Sequence, residues 1–235
     1  MCTIPYTFNN KNELLTYLFK YLQDLSYFKH FLTFLVTLRI LSRDKKDLEN
    51  LFTADRIETL LQFARLVGKD SFLRAENLNE NESKVVIEAQ KCISNLIFNN
   101  NVIRKLCCHN GCIDGIMLRL RMYKNPGLPI EVKYFDMRIL FLITALNSEM
   151  VAKIRDEYHG IVYLIEELDL LLKESQECES TEKDHGVCVK DDNQMETVCL
   201  LSDQIVDACC EVLKVLFNLT VDLDQLNLNE VCLHY

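Results

Sequence analysis

A pattern of apolar and polar positions that occurs twice in the chain predicts two equivalent amphipathic helices. Segment 88–98 carries apolar residues at the three- and four-residue spacing of one helix face: Ala89, Cys92, Ile93, Leu96 and Ile97. Its polar residues Glu88, Lys91 and Asn95 share another face by the same spacing. The polar series returns 123 residues later as Glu211, Lys214 and Asn218. A recurring helix of this kind indicates a stack of repeated units.

The same reasoning predicts helices along most of the chain. Thr53 is a candidate N-cap for a helix that ends before Gly68, because its hydroxyl can accept a hydrogen bond from the first turn. The other helices are expected at residues 9–23, 26–44, 83–98, 101–108, 112–123, 130–147, 148–159, 161–173 and 199–220. Polar loops are expected at residues 69–82 and 174–197.

The lengths of the predicted helices indicate a particular fold. The order short, medium and long occurs twice, over 101–147 and 148–220, and three helices in a unit of roughly 40–47 residues are typical of armadillo repeats. Aligned long helices give steps of 56, 50 and 73 residues along the series Arg39, Asn95, Ala145 and Asn218. The sequence therefore predicts an all-α, armadillo/HEAT-type α-solenoid, a right-handed superhelix of helical repeats, over residues 1–222. Segment 174–197 is predicted as an acidic loop insertion, and 223–235 as a tail that is not a capping repeat.

Composition supports this fold and argues against several classes of protein. Glycine (6) and proline (3) are scarce, and most of them lie between the helical patterns. Segment 174–197 holds eight acidic residues and two lysines, hence six of the nine net negative charges, and an acidic chain is unlike one whose main ligand is nucleic acid. Eleven cysteines, an odd number, do not resemble a disulfide framework. With no signal-peptide pattern and no membrane-length apolar run, we expect a cytoplasmic protein. We also expect a monomer.

The concave surface of such a solenoid is the expected binding site, lined in armadillo stacks by the third helix of each unit. The side chains predicted there include Arg39, Arg43, Lys91, Asn95, Phe141, Lys214 and Asn218. Arg39 and Arg43, four residues apart, could together hold a carboxylate, or could be cations that suit a helix end. Asn95 and Asn218 could hydrogen-bond a ligand backbone or satisfy the ends of neighbouring helices, and the pattern favours neither.

The remaining candidates for chemistry are weaker. A metal site at Cys107, Cys108, His109 and Cys112 would need a second cluster of ligands at zinc spacing, so we interpret these cysteines as packing residues. Ser175, Ser180 and Thr181 lie among glutamates as an acidophilic kinase substrate would, although a solvated insertion explains them more simply. The sequence has no Gly-rich phosphate loop and no nucleophile elbow, so we expect neither an enzyme with a covalent mechanism nor a cofactor.

Four segments, in order along the chain, resemble one protein family. They are LRILSRD at 38–44, KCISNL at 91–96, YFDMRILFLITAL at 134–146 and EVLKVLFNLT at 211–220. They are similar to synembryn, the resistance-to-inhibitors-of-cholinesterase family, and the resemblance covers about residues 6–222 and the N-terminal half of family members.

The resemblance implies an armadillo solenoid that binds heterotrimeric G-protein α subunits. Family members are cytosolic chaperones of nascent α subunits and non-receptor guanine-nucleotide exchange factors, and recruitment to the cell cortex or plasma membrane would come through the partner. The C-terminal helix of the α subunit lies in the concave groove, contacted by residues that match Arg39, Arg43 and Asn95, and by an aromatic helix that matches Phe135 and Phe141. Two alternatives remain open: a general armadillo scaffold for another acidic or helical peptide, and a truncated form that binds without exchange activity.

Overall fold

The computed structural model describes residues 10–68, 78–98, 100–124, 127–145, 147–182 and 202–221, with side chains up to residue 173 in the fifth range. Every regular element within these ranges is a helix, so the prediction of an all-α chain is confirmed there. The predicted 223–235 tail lies outside the described residues. None of the helices that the structure describes is both long and apolar enough to span a bilayer.

Eleven α-helices follow one another in the described ranges. They are α1 (Lys11–Leu22), α2 (Phe31–Leu41), α3 (Leu48–Leu51), α4 (Ala54–Phe63), α5 (Glu80–Ile97), α6 (Asn101–His109), α7 (Cys112–Leu120), α8 (Ile130–Thr144), α9 (Ser148–Ala152), α10 (Gly160–Glu182) and α11 (Asp203–Thr220). A 3₁₀ helix, Leu25–His30, precedes α2, and a π-helical turn, Lys153–Glu157, follows α9.

Most predicted helix boundaries shift in the structure: the predicted 26–44 helix is divided into the 3₁₀ helix and α2, α4 ends at Phe63, and α3 was not predicted. Two of the shifts extend a helix into a predicted loop. Helix α5 begins at Glu80, earlier than the predicted 83, because Asn79 and Glu82 form a capping box. The Asn79 side chain accepts from the Glu82 N–H, and the Glu82 carboxylate accepts from the Asn79 N–H, so two end donors are satisfied reciprocally. Helix α10 continues to Glu182, into the segment predicted as a loop from 174 onward. Residues 183–197 of that segment lie outside the described part of the chain.

The long helices pack in a row. Helix α2 packs against α5, α5 against α8, and α8 against α11, and these are the most extensive contacts between described helices. Ile93 of α5, Leu140 of α8 and Val212 of α11 are fully buried in the core between them. Full burial of one such side chain is worth about 1.5–3 kcal/mol, so the apolar faces read from the sequence hold the row together.

The ends of the long helices correct the predicted register by one turn. Phe98 after α5, Ala145 after α8 and Val221 after α11 share one geometry: an extended ψ and an N–H that donates to the carbonyl four residues earlier. The 123-residue offset between α5 and α11 therefore holds in three dimensions. Ala145 corresponds to Phe98, whereas the sequence alignment paired it with Asn95. Apolar side chains recur every three or four residues, so a shift of one turn leaves the pattern almost unchanged.

A buried polar network, which the sequence analysis did not single out, ties four helices together. Arg119 of α7 donates from Nη2 to the carbonyl of Ala64 at the end of α4 (2.7 Å) and from Nη1 to both carboxylate oxygens of Asp136 in α8 (3.2 Å). The Asp136 carboxylate also accepts from Tyr123 Oη at 2.8 Å and from Gln90 Nε2 at 2.7 Å. Burial raises the pKa of Asp136, and the Arg119 charge and these hydrogen bonds oppose that rise.

The cysteines predicted as packing residues differ in how deeply they are buried. Cys107 and Cys112 are fully buried in the core, which confirms the packing interpretation for both. Cys108 is half-buried, and burial raises the pKa of its thiol to about 11. A thiol with so high a pKa is protonated near neutral pH and is a poor nucleophile.

Candidate partner-binding groove

The long helices of the described chain line an open pocket of about 600 Å³, called the groove below. All four helices contribute side chains, together with the residue that follows α5 and the turn after α2. The lining residues are Arg39, Arg43, Lys91, Ser94, Asn95, Phe98, Tyr134, Phe135, Arg138, Leu142, Asp207, Cys210, Glu211 and Lys214. The polar face of α5 therefore borders a cavity.

Six of the eight residues predicted to line the binding surface do line the groove: Arg39, Arg43, Lys91, Asn95, Phe135 and Lys214. The other two, Phe141 and Asn218, are not among the lining residues and lie next to it. The Phe141 ring lies under the ammonium of Lys214, 5.8 Å from the ring centre, and under the guanidinium of Arg138 at 5.7 Å. Asn218 contacts the end of α8 through the carbonyl of Phe141.

The first cationic cluster of the groove is built around Glu88 of α5. Arg39 Nε donates to one carboxylate oxygen of Glu88 at 2.5 Å, and Lys91 Nζ lies 3.4 Å from the other. Lys91 also pairs with Glu131 at 2.9 Å and lies 5.3 Å from the ring centre of Phe135, a cation–π distance. Two of the predicted cations are therefore fixed in place by neighbouring carboxylates, while both still border the cavity.

The same arrangement recurs between α8 and α11 around Glu211. Its Oε1 accepts from Arg138 Nη1 at 3.1 Å and from Lys214 Nζ at 2.9 Å. Glu211 and Lys214 are the matches of Glu88 and Lys91 in the sequence repeat. Arg138 pairs with Glu211 as Arg39 pairs with Glu88. Arg138 was not predicted, because its pairing with Glu211, a residue of a distant helix, is formed only in the tertiary structure.

Arg43 differs from Arg39 in having no partner of its own. The side chain is exposed, and it makes no ion pair or side-chain hydrogen bond with any residue that the structure describes. Because Arg39 is held by Glu88, the two guanidiniums do not form a symmetric clamp. Arg43 is the guanidinium with all of its donors available to a ligand.

The sequence left two roles open for Asn95: binding a ligand backbone or satisfying the end of a neighbouring helix. The amide nitrogen of Asn95 has the second role. Nδ2 donates to the carbonyl of Arg39 at 3.3 Å and to Ser42 Oγ at 3.2 Å, both at the C-terminal end of α2. The last carbonyls of a helix lack partners within that helix, so this amide satisfies one of them. Within the described ranges, Oδ1 accepts no hydrogen bond, and it remains available to a donor in the groove.

Asn218 makes the corresponding contacts between α11 and α8. Its Nδ2 donates to the carbonyl of Phe141 at 3.2 Å and to Thr144 Oγ1 at 2.9 Å, at the C-terminal end of α8. The two asparagines thus join consecutive long helices in the same way, α5 to α2 and α11 to α8. The recurrence explains why the pattern returns 123 residues apart in the sequence.

The lining side chains of the groove have a net charge opposite in sign to that of the chain as a whole. Five lining side chains are cationic (Arg39, Arg43, Lys91, Arg138 and Lys214) and two are acidic (Asp207 and Glu211), whereas the chain carries a net charge of −9. Wall charges of one sign steer and select ligands of the other. The groove therefore suits a ligand that presents a carboxylate.

Comparison with known proteins supplies the family. A family model described as guanine nucleotide exchange factor synembryn matches residues 34–232. The chain is 31% identical over 202 residues to the chaperone Ric-8A of Gallus gallus, covering 84% of this chain and 34% of that protein. It is 32% identical over 190 residues to the chaperone Ric-8B of Rattus norvegicus, covering 80% and 34%. For the chaperone Ric-8 of Drosophila melanogaster the identity is 27% over 198 residues, covering 78% and 30%.

The aligned part spans about a third of the length of these relatives, less than the half that the resemblance implied. The family match nevertheless extends over most of the chain and includes the four segments on which the resemblance was based. We conclude that the chain belongs to the synembryn family of guanine nucleotide exchange factors.

Proposed function

We propose that the groove binds the C-terminal helix of a heterotrimeric G-protein α subunit, and that the chain acts through it as a non-receptor guanine-nucleotide exchange factor and chaperone. Family membership supports a G-protein role. The observation that carries the proposal is the convergence of Arg39, Arg43, Lys91, Asn95 and Phe135 on one cationic groove.

The architecture that we propose is an armadillo-type solenoid. Helices α2, α5, α8 and α11 take the place of the third helix in successive units. The matching ends of α5, α8 and α11 and the repeated asparagine contacts support this assignment. The chain would act as a cytoplasmic monomer, with one groove for one α subunit.

Recognition would begin at the α2 end of the groove. The terminal carboxylate of the α-subunit helix would bind the free guanidinium of Arg43 and the remaining N–H groups of Arg39, which are charge-assisted donors with fork geometry. Asn95 Oδ1 would accept a backbone N–H of the same ligand. Phe135, beside Lys91, would contact its apolar side chains.

Exchange in this scheme needs no bond chemistry in this chain. A protein that binds one conformation of its partner more tightly shifts the partner toward that conformation by the difference in binding free energy. Holding the C-terminal helix in the groove would favour the nucleotide-free α subunit. The same hold on an incompletely folded α subunit would account for chaperone activity.

Binding is tested with the full chain and a fluorescent peptide that reproduces the C-terminal helix of the α subunit. Arg43→Gln should weaken binding of the free-acid peptide several-fold, about 1 kcal/mol for an exposed charge pair, and should affect the C-terminally amidated peptide much less. Lys20→Gln, an exposed cation on α1, is the matched control. Equal affinity for the acid and amide peptides would contradict the proposed carboxylate site.

Exchange is measured separately, as GTPγS uptake by a panel of α subunits. The chain spans about a third of the length of its relatives, so peptide binding and acceleration of exchange are independent outcomes. Acceleration lost in Arg39→Glu/Arg43→Glu supports the exchange factor. Binding without acceleration would favour the form that binds only, and binding that ignores the nucleotide state of the α subunit would favour a general peptide scaffold.

A further inference from the structure

The groove keeps one cation and one anion that have no partner among the described residues. Four of its five cations are engaged: Arg39 and Lys91 with Glu88, Arg138 and Lys214 with Glu211. Arg43 is the fifth. Of the two acids, Glu211 is buried and paired, whereas Asp207 is exposed and makes no ion pair or side-chain hydrogen bond with the described part of the chain.

These two free charges lie on opposite walls. Arg43 directly follows the C-terminal end of α2, the first helix of the row, and Asp207 lies on α11, the last described one. Asp207 lies one turn before Glu211 and close enough to Tyr134 for its charge to add to the effect of burial, which raises the pKa of that phenol. The groove therefore offers an unpaired cation on one wall and an unpaired acid on the other.

A helix has the complementary polarity. Its C-terminal end carries partial negative charge and its N-terminal end partial positive charge, in addition to any charged side chains. With its C-terminus at Arg43, a bound helix would extend its positive end toward α11. Neighbouring axes about 8–10 Å apart separate α2 from α11 by roughly 24–30 Å, and side chains from both walls shorten that span. At about 1.5 Å per residue, a helix that crosses the whole span has roughly 16–20 residues, or about four to six turns.

We propose that Asp207 is a second recognition site in the groove, which binds a lysine or arginine side chain of the ligand helix a few turns before its C-terminal carboxylate. The inference rests on the proposed function and adds the direction of the bound helix and the charge that sets it. Arg43 selects the terminal carboxylate, and Asp207 selects the basic side chain, so a helix bound in the reverse direction would meet a like charge at both ends.

The test is a charge exchange between chain and peptide, read by fluorescence anisotropy on the full-length chain. Asp207→Asn should weaken binding of the free-acid peptide about two- to fivefold, and Asp207→Lys more strongly, with both effects shrinking at high salt. Asp203→Lys is the matched control, because Asp203 is exposed on the same helix one turn earlier and does not line the groove. It should change the affinity much less.

Peptides in which each lysine or arginine is changed singly to glutamate complete the exchange. One of them should bind wild type weakly and regain affinity for Asp207→Lys, which identifies the residue that Asp207 contacts. Peptides with single glutamine substitutions, measured on wild type alone, show which basic residues contribute to binding without any change to the chain.

Three results would count against the proposal. If Asp207→Lys and Asp203→Lys bind the peptide equally, or if no basic residue of the peptide affects its binding to wild type, the second site is overturned and the proposed function stands. If wild type does not bind the free-acid peptide at all, the proposed function fails and the second site fails with it.

Discussion

Asn95 donates a hydrogen bond from its amide nitrogen to the hydroxyl of Ser42 across 3.2 Å, and so joins the polar face of α5 to the C-terminal end of α2. Asn218 and Thr144 reproduce the contact at 2.9 Å between α11 and α8. A side chain on the groove wall thus also serves as a link between consecutive long helices. The contribution of Asn95 to stability and its contribution to binding can be measured separately.

Asn95→Ala and Asn218→Ala should each lower the free energy of unfolding by about 1–2 kcal/mol, because each removes two hydrogen bonds at a helix end. Urea unfolding measures the loss, with Asn50→Ala as an exposed control. Only Asn95→Ala should also weaken peptide binding, since Asn95 lines the groove. Wild-type stability in both variants would show that the amides do not hold the helices together.

Arg119→Met should be among the most destabilising single changes in the chain. It leaves the buried carboxylate of Asp136 without its cation and the carbonyl of Ala64 without a donor, and breaking a buried pair on one side costs about 3–5 kcal/mol. Arg121→Met, at an exposed arginine two residues away, is the control. The double variant Arg119→Met/Asp136→Leu should recover part of the lost stability. Equal stability of Arg119→Met and Arg121→Met would contradict the network.

Gly115→Ala should destabilise the junction of α7 with the end of α4. A Cβ at this position would lie 1.9 Å from the carbonyl oxygen of Leu66, and a backbone atom cannot move aside as a flexible side chain would. We expect a loss of about 1–3 kcal/mol, although alanine is ordinarily about 1 kcal/mol better than glycine within a helix. Leu118→Ala, at an exposed position of the same helix, is the control and should have a small effect on stability. A Gly115→Ala variant more stable than wild type would exclude the close approach of Gly115 to the Leu66 carbonyl.

The capping box of α5 predicts a dependence of stability on acid pH. The hydrogen bond from the Asn79 N–H is the largest effect on Glu82, and it holds the pKa of that carboxyl below its ordinary value of 4.5. The unfolded chain therefore takes up this proton at a higher pH than the folded chain. The stabilisation is complete above 4.5 and is lost as pH falls through the folded pKa.

Glu82→Gln tests this dependence in urea unfolding at a series of pH values. The curve of stability against pH should be flatter in the variant than in wild type below 4.5. Glu49→Gln, at an exposed glutamate of α3, is the matched control. Parallel wild-type and Glu82→Gln curves would rule out a capping carboxylate with a depressed pKa.

Much of the candidate site could be predicted because it follows helical periodicity. Lys91 and Asn95 were placed on one face by their spacing, and both line the groove. Arg39, Arg43 and Phe141 were placed on the concave surface by the alignment of the long helices, and the family resemblance added Phe135. Phe141 lies beside the groove instead of in its wall. Arg138 and Asp207 were missed, because contacts with helices distant in the sequence decide whether a charged side chain is paired or free.

The sequence by itself determined the helical class of the described chain, most of its helices and the 123-residue correspondence of α5 with α11. These features are encoded locally, in the spacing of apolar side chains within one helix. Only the tertiary structure decided the register of α8, the burial of Arg119 with Asp136, the contacts of the two asparagines, and which charges of the groove stay free. Each of these depends on side chains brought together from different helices, and no local spacing specifies such a pairing.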